Sequence, residues 1–354
     1  MPHVLDMFAP YISARVRGMK SGLMPRSELG ALLDKGDLGA MADVLLTSAY
    51  EVEMAEAMST HQGSVAIEDA LSRNLVNTFS RLRRLCMGRY SALADIFMTR
   101  WDLIAVKSLL RNRHHELDAD TGAGSLLPGP SIPVALMREL ASQDTMDALL
   151  RALAAWNPSL RRGLLDKLGD YQENHDLRVL EQALDERYFV GNVRALSNAH
   201  DGDSHFLKEL LRMEIDRINL RLLFAPRGPE MSPEDVIALL LPRGTLSEQL
   251  SRNIASAPSP ERAVALLENT AYAGLTEGIA YYAQSGRFSI LERQFETAFL
   301  RRLQRAVQQQ PFGLPILMRY AWLKYNEVIN LRMIAHGLAV RLPRERVMQE
   351  IFYV

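Results

Sequence analysis

One cysteine, Cys86, stands in a sequence of 354 residues. Its solitude excludes an internal disulfide and any multi-cysteine zinc site, and it suits a reducing compartment. An excess of charge of either sign is also lacking: 41 Lys and Arg face 42 Asp and Glu, for a net charge of −1. No whole-molecule field draws such a chain to nucleic acid or anionic lipid, so a charged partner has to be met by a local patch. Long apolar runs are missing too. The longest purely aliphatic stretch, Val236 to Leu241, falls far short of the roughly 18 residues that a membrane span requires. The opening Met-Pro-His-Val-Leu-Asp carries no basic region ahead of an apolar stretch, which argues against a secretory signal.

Catalytic signatures are absent as well. The chain has no Gly-x-x-x-x-Gly-Lys phosphate loop, Gly-x-Gly-x-x-Gly turn, His-Glu-x-x-His helix or Gly-x-Ser-x-Gly elbow. The two histidine groupings that could hold a metal are His114-His115 and His200-Asp-Gly-Asp-Ser-His205. Gly202 and Ser204 mark the second as a polar turn between helices rather than a metal site. Glu234-Asp235, beside Pro233, reads as the start of a helix. No Asp-rich metal-diphosphate motif of a helical enzyme occurs, and neither catalytic residues nor a cofactor are expected.

What is present is helical periodicity. Hydrophobic residues make up 48% of the chain, enough for a substantial core. They recur at three-and-four spacing almost throughout, while strand-length alternation is hard to find. The fold class expected is all-α. Breakers at Met24-Pro25, Gly36-Asp37, Asp120 to Pro133, Asn157-Pro158, Asp201 to Asp203, Pro226 to Pro233, Pro242 to Gly244, Pro258 to Pro260 and Pro311 to Pro315 divide the chain into segments of ordinary helix length. Trp101, Trp156 and Trp322 fall at apolar positions and are expected to anchor the core, as is Cys86.

Compared with itself, the chain shows a repeat. Asp102-Leu-Ile104-Ala-Val106-Lys107-Ser-Leu109 matches Asp216-Arg-Ile218-Asn-Leu220-Arg221-Leu-Leu223 and Glu327-Val-Ile329-Asn-Leu331-Arg332-Met-Ile334. Asp216 lies 114 residues after Asp102, and Glu327 lies 111 after Asp216. Leu126-Leu127-Pro128 falls onto Leu240-Leu241-Pro242 at the first offset, and Pro233 to Val236 onto Arg344 to Val347 at the second. Leu71, Leu184 and Leu291 open comparable preceding segments. Units of this size are small helical domains rather than solenoid repeats, and three are expected: residues 1–115, 116–227 and 228–354.

At 100° per residue, Asp102 lies within about 40° of Val106 and Leu109, so the acid borders the apolar face and is expected to be partly buried. Lys107, five residues on, is not spaced to pair with it along one helix. The same holds for Asp216 with Arg221 and Glu327 with Arg332, so each charge is expected to find a partner elsewhere. A buried acid that accepts hydrogen bonds from a neighbouring segment and fixes interhelical register is favoured over a charged ring made by three units. The N-terminal run holding Arg15, Arg17 and Lys20 has no counterpart at the two offsets, and these three residues are nominated as interface candidates. The clusters Arg81-Leu-Arg83-Arg84 and Arg301-Arg302-Leu-Gln-Arg305 fit snorkelling side chains on corresponding helices. With no reading motif or interleaved aromatics, nucleic-acid binding is not expected.

Taken together, Tyr11-x-x-Ala-Arg15-Val-Arg17-x-Met-Lys20, Thr47-x-x-Tyr50, Trp101-Asp102-x-Ile104-x-x-Lys107-x-Leu109-Leu110-Arg111 and Tyr325-Asn-Glu327-x-Ile329-Asn330-Leu331-Arg332 resemble the C subunit of the prokaryotic V/A-type rotary ATPases, a relative of the d subunit of the eukaryotic vacuolar ATPase. The resemblance runs over essentially the full length; the middle copy departs most, with Arg212-Met-Glu-Ile215 in place of the Thr-Arg-Trp lead-in. It implies three pseudo-symmetric helical bundles arranged as a funnel or ring, and a non-catalytic central-stalk subunit. Such a subunit stands between the shaft of the soluble ATPase head and the membrane rotor ring, on the cytoplasmic side. It transmits torque that couples ATP hydrolysis or synthesis to H⁺ or Na⁺ movement. A free-standing helical adaptor is the alternative reading, with an all-helical enzyme behind it.

Overall fold

The computed structural model describes residues 8–117, 126–226 and 231–352. The N-terminal hexapeptide and the breaker residues at 120–125 and 227–230 lie outside the described residues. Among the described residues the chain is all α, with short 3₁₀ and π turns and no strand. The α-helices are α1 (Phe8–Lys20), α2 (Arg26–Lys35), α3 (Leu38–Leu46), α4 (Glu51–Met58), α5 (Gly63–Leu85), α6 (Arg89–His114), α7 (Val134–Ala141) and α8 (Met146–Trp156). After them come α9 (Arg161–Leu165), α10 (Leu168–Asn174), α11 (Leu177–Asp185), α12 (Gly191–Ala195), α13 (Gly202–Phe224) and α14 (Pro233–Ala238). The last six are α15 (Glu248–Ala255), α16 (Pro260–Ala265), α17 (Thr276–Ser285), α18 (Ser289–Gln309), α19 (Leu314–Ala339) and α20 (Arg344–Glu350).

The breakers act where the sequence places them. Gly36 ends α2 in the left-handed region at φ 80°, and the Asp37 carboxylate then caps α3 by accepting from the Ala40 N–H. Asp201 caps α13 through the Ser204 N–H, which makes the His-Asp-Gly-Asp-Ser-His stretch a helix start. Ser232 and Asp235 form a reciprocal capping box at α14, with Pro233 in its first turn. None of the described helices is long and apolar enough to cross a membrane.

The chain forms two compact units, one made of Met1–Arg161 with Leu303–Val354 and the other of Arg162–Arg302. In the first, α19 packs against α5, α1, α6, α2 and α3. This unit buries Tyr50, Phe79, Met41, Leu45, Met54, Ile67 and Leu71 almost completely. Trp101 is its aromatic centre, with ring centroids 4.8 Å from Phe79, 5.1 Å from Phe97, 5.5 Å from Tyr325 and 6.0 Å from Trp322. Cys86 is buried as expected, and burial pushes its thiol up to about 12. Trp156 differs: it is the last residue of α8 and only half-buried, because in the final turn Leu153 and Ala154 face the core while Ala155 and Trp156 lie toward the other side.

The second unit gathers Leu220, Leu223, Phe224, Val236, Ile254, Leu267, Tyr272, Ile279, Leu291 and Phe295 into one core. The aliphatic run at Val236 bends as α14 ends, and Leu241 turns back to the side of α13. Arg217 lies between Glu214, at 3.0 Å, and Glu292, at 2.5 Å. Burial disfavours its charge, but the two carboxylates more than compensate and hold its pKa above the usual arginine value.

Candidate functional site

The three motif acids are all buried, at 4% exposure for Asp102, 0% for Asp216 and 5% for Glu327. Each ties its long helix to a segment distant in sequence. Asp216 on α13 accepts hydrogen bonds from the Thr245 N–H at 2.8 and 2.9 Å and from the Leu246 N–H at 3.2 Å. It also accepts from the Tyr272 hydroxyl at 2.6 Å and from the Thr245 hydroxyl. The turn can come this close because residue 244 is glycine: a Cβ there would collide with the Asp216 carboxylate and press on Ile215. Asp102 on α6 accepts from the Ser131 N–H at 2.8 Å, the same 29 residues downstream. Gly129 is the permissive residue in this case, since a Cβ would collide with the Asp102 carboxylate and backbone.

Glu327 on α19 is held differently. Its Oε2 accepts from the Met24 N–H at 2.5 Å, and its Oε1 accepts from the Tyr50 hydroxyl at 2.5 Å and the Lys324 ammonium at 2.9 Å. The Lys324 Nζ lies 3.8 Å from the centroid of the Tyr50 ring, a cation–π contact away from solvent. Burial pulls the Lys324 pKa down, against the pull of Glu327. Burial, with Glu327 second, drives the Tyr50 hydroxyl well above its usual value, and burial with Asp216 does the same to Tyr272. Asp102, which has no tyrosine partner, is pushed up to about 6 by burial, with the Ser131 hydrogen bonds and Arg83 opposing the rise.

Around the acids the surrounding hydrogen bonds recur. Asn219, three residues after Asp216, brackets Leu241 by donating to its carbonyl and accepting from its N–H at 2.9 and 2.8 Å. Asn330, three residues after Glu327, brackets Phe352 in the same way at 2.7 and 3.1 Å, again 22 residues on. The first copy has Ala105 at this position. The two tyrosines also sit in matching turns. Ser48 donates to the Leu45 carbonyl and accepts from the Tyr50 N–H, while Thr270 donates to the Leu267 carbonyl and accepts from the Tyr272 N–H. Tyr272 follows its acid by 56 residues. Tyr50 precedes Glu327 by 277 residues, which is the same 56-residue step taken back by three repeat lengths of 111. The tyrosine of the third acid therefore comes from the N-terminal part of the chain.

The cations of the motif go elsewhere. Arg332 lies 4.0 Å from Glu68, and burial lowers its pKa. Arg221 is exposed, with its guanidinium 4.9 Å from the Phe288 ring centroid, and Lys107 is half-buried. Glu327 has its cation on its own helix, contrary to the expectation of a partner elsewhere. Lys324, three residues earlier, is that cation, and it directly follows the apolar run Ala321-Trp322-Leu323. On α1, Arg15, Arg17 and Lys20 are exposed. Arg17 donates to the Pro311 carbonyl at 3.0 Å and lies 5.9 Å from the Phe312 ring centroid. His200 and His205 are exposed, and among the described residues no group of His, Cys, Asp and Glu is placed to hold a metal. The lone pairs of Asp216 and Glu327 are taken up by internal donors, an arrangement that joins helix to loop.

Residues 12–350 match the family model described as ATP synthase (C/AC39) subunit. The chain is similar to the A-type ATP synthase C subunit of Methanococcoides burtonii, with 25% identity over 96% of this chain and 93% of that protein. It is likewise similar to the C subunit of the A-type ATP synthase of Methanosarcina barkeri, 26% identical over 98% of this chain and 93% of that protein. The corresponding C subunit of Methanocaldococcus jannaschii is 24% identical over 97% of this chain and 86% of that protein.

Proposed function

We propose that this chain, which belongs to the ATP synthase (C/AC39) subunit family, is the non-catalytic central-stalk subunit of a V/A-type rotary ATPase. It joins the shaft of the ATPase head to the ion-carrying membrane ring, on the cytoplasmic side. Torque passes through it, so that ATP hydrolysis or synthesis is coupled to H⁺ or Na⁺ transport. The observation that carries this reading is the likeness, over 96% of this chain and 93% of the relative in the first case and 98% and 93% in the second, to the A-type ATP synthase C subunits of Methanococcoides burtonii and Methanosarcina barkeri.

The chemistry of the buried acids supports it. A subunit that passes torque has to resist deformation, and each acid pins a helix to a loop with charge-assisted hydrogen bonds, which are stronger than neutral ones. The threefold repeat, divided near residues 115 and 227, belongs to the same proposal; the recurrence of acid, asparagine and tyrosine contacts at matched spacing supports it. Arg15, Arg17 and Lys20 remain the interface candidates, as exposed cations on one short helix. Crosslinking of the native membrane complex followed by mass spectrometry tests the reading. Crosslinks from this chain to both the shaft and ring subunits are expected, and a purified, active complex that lacks the chain would overturn it.

A further inference from the structure

The larger unit contains a cleft of about 580 Å³ between α5, the end of α1, α4 and α19. Its volume lies in the range of about 300 to 1,000 Å³ typical of small-molecule sites and far above the roughly 30 Å³ that one water occupies. The wall supplied by α5 carries Asn77, Arg81 and Arg84, which at spacings of four and three share one face of the helix. Neither arginine forms a hydrogen bond or ion pair within the described residues, and both are exposed to the cleft mouth. Of the other charges of the lining, Lys324 is paired with Glu327, whereas the donors to Glu53 are neutral amides, those of Asn74 and Asn77 at 2.8 Å each. With Lys324 paired, Arg81 and Arg84 outnumber Glu53, so the lining carries a net positive charge.

A second observation points the same way. Asn74 lines the cleft at 6% exposure, and its Oδ1 is buried without a donor. The side chain cannot relieve this by flipping, because its Nδ2 already donates to the Ala49 carbonyl and to Glu53. A ligand that satisfies the cleft carries negative charge at the arginine end and a hydroxyl or amine donor at the Asn74 end. Thr78 and Ser80 supply further hydroxyls along the same wall.

We propose that this cleft binds a small phosphorylated molecule, with Arg81 and Arg84 on the phosphate and Asn74 on a hydroxyl group. A guanidinium pair suits this role because each can present two N–H donors to one phosphate. ADP serves as the probe, titrated calorimetrically into the full chain, with pyrophosphate and adenosine as the separated halves. ADP is expected to bind and pyrophosphate to compete with it. Arg81→Gln and Arg84→Gln are each expected to weaken ADP binding by about tenfold, and the double variant to abolish it. Because both side chains are exposed and unpaired, the variants should keep the thermal stability of the unliganded chain, so a loss of binding is not a loss of folding. No heat of ADP binding at millimolar concentration, binding by the double variant equal to that of the parent, or adenosine binding as tight as ADP would overturn the proposal.

Discussion

Asp216 and Glu327 stand at matching positions on α13 and α19, yet they are satisfied by different chemistry. Asp216 is surrounded by backbone N–H groups and hydroxyls, all within 56 residues of it in the chain. Glu327 shares its pocket with the buried Lys324 ammonium and takes its remaining donors from Met24 and Tyr50, 303 and 277 residues away. The same repeat thus closes locally in one unit and over nearly the whole sequence in the other. Where a loop that follows α13 serves Asp216, the segment between α1 and α4 serves Glu327, and the longer glutamate side chain spans to it. The closure on Asp216 is made by dipoles from the Thr245 turn and from Tyr272, both within 56 residues, whereas the closure on Glu327 depends on a buried ion pair and on a segment nearly a whole chain length away.

The largest expected effect separates these two modes. Glu327→Gln strands a buried ammonium, and loss of one partner of a buried pair costs about 3–5 kcal/mol. Asp216→Asn keeps a neutral acceptor among neutral donors and should cost about 1–3 kcal/mol. Urea unfolding of the two variants gives the ranking, and Lys324→Met added to Glu327→Gln should recover most of the larger loss. If the double variant is as unstable as the single one, the ion pair is not what distinguishes the two sites.

Asp102 offers a third mode, with a carboxyl that has one anchoring residue and no tyrosine. Its pKa, about 6 in the folded chain against 3.8 for the free group, fixes the sign. Below about pH 4 the group is protonated in both folded and unfolded chains. Between the two values the folded chain binds the extra proton, so this group's contribution to stability falls as pH rises through that window and stays reduced above it. Asp102→Asn cannot titrate. Its stability relative to the parent should therefore rise by about 2–3 kcal/mol between pH 4 and pH 7, at 1.36 kcal/mol per pKa unit. Parallel stability profiles for the two proteins would show that Asp102 is not perturbed.

Much of the first layer of this architecture was legible in the amino-acid order. The angular position of Asp102 beside Val106 and Leu109 anticipates burial, and the breakers at Gly36, Asp201 and Ser232 lie at helix caps as composition suggests. The recurrence of Asn219 and Asn330 is visible too, but not that each brackets a backbone segment 22 residues on, because a hydrogen bond leaves no periodic mark. The link from Glu327 to Met24 and Tyr50 could not be read from helical spacing, which reports only neighbours within a few turns. Lys324 was concealed because a cation on an apolar stripe looks like an interruption of the core until its counter-charge is located. Arg81 and Arg84 read as surface charges for the same reason: their excess over Glu53 becomes evident only once Lys324 is seen to be paired with Glu327.

The glycines that admit the acids differ in what an added methyl group would meet. Gly129→Ala drives a methyl group into the backbone of α6, whereas Gly244→Ala meets the side chains of Asp216 and Ile215 and no backbone atom among its nearest contacts. Both should lower stability, within the roughly 1–3 kcal/mol of overpacked sites, with Gly129→Ala the worse. A smaller effect is expected from the asparagine brackets. Asn219→Ala and Asn330→Ala each remove two hydrogen bonds, about 1–2 kcal/mol in all. Hydrogen exchange should show the loosening at Leu241 in one variant and at Phe352 in the other, and exchange unchanged at these amides would show that the brackets are dispensable.

The role proposed for this chain is coupling rather than chemistry, and membrane vesicles carrying the rotary ATPase with and without it test that role most directly. Removal is expected to leave ATP hydrolysis by the soluble head intact and to abolish ATP-driven H⁺ or Na⁺ uptake, with re-addition of the chain restoring it. Ion uptake that proceeds undiminished without the chain, or hydrolysis that disappears together with it in the detached head, would contradict a non-catalytic link between motor and ring.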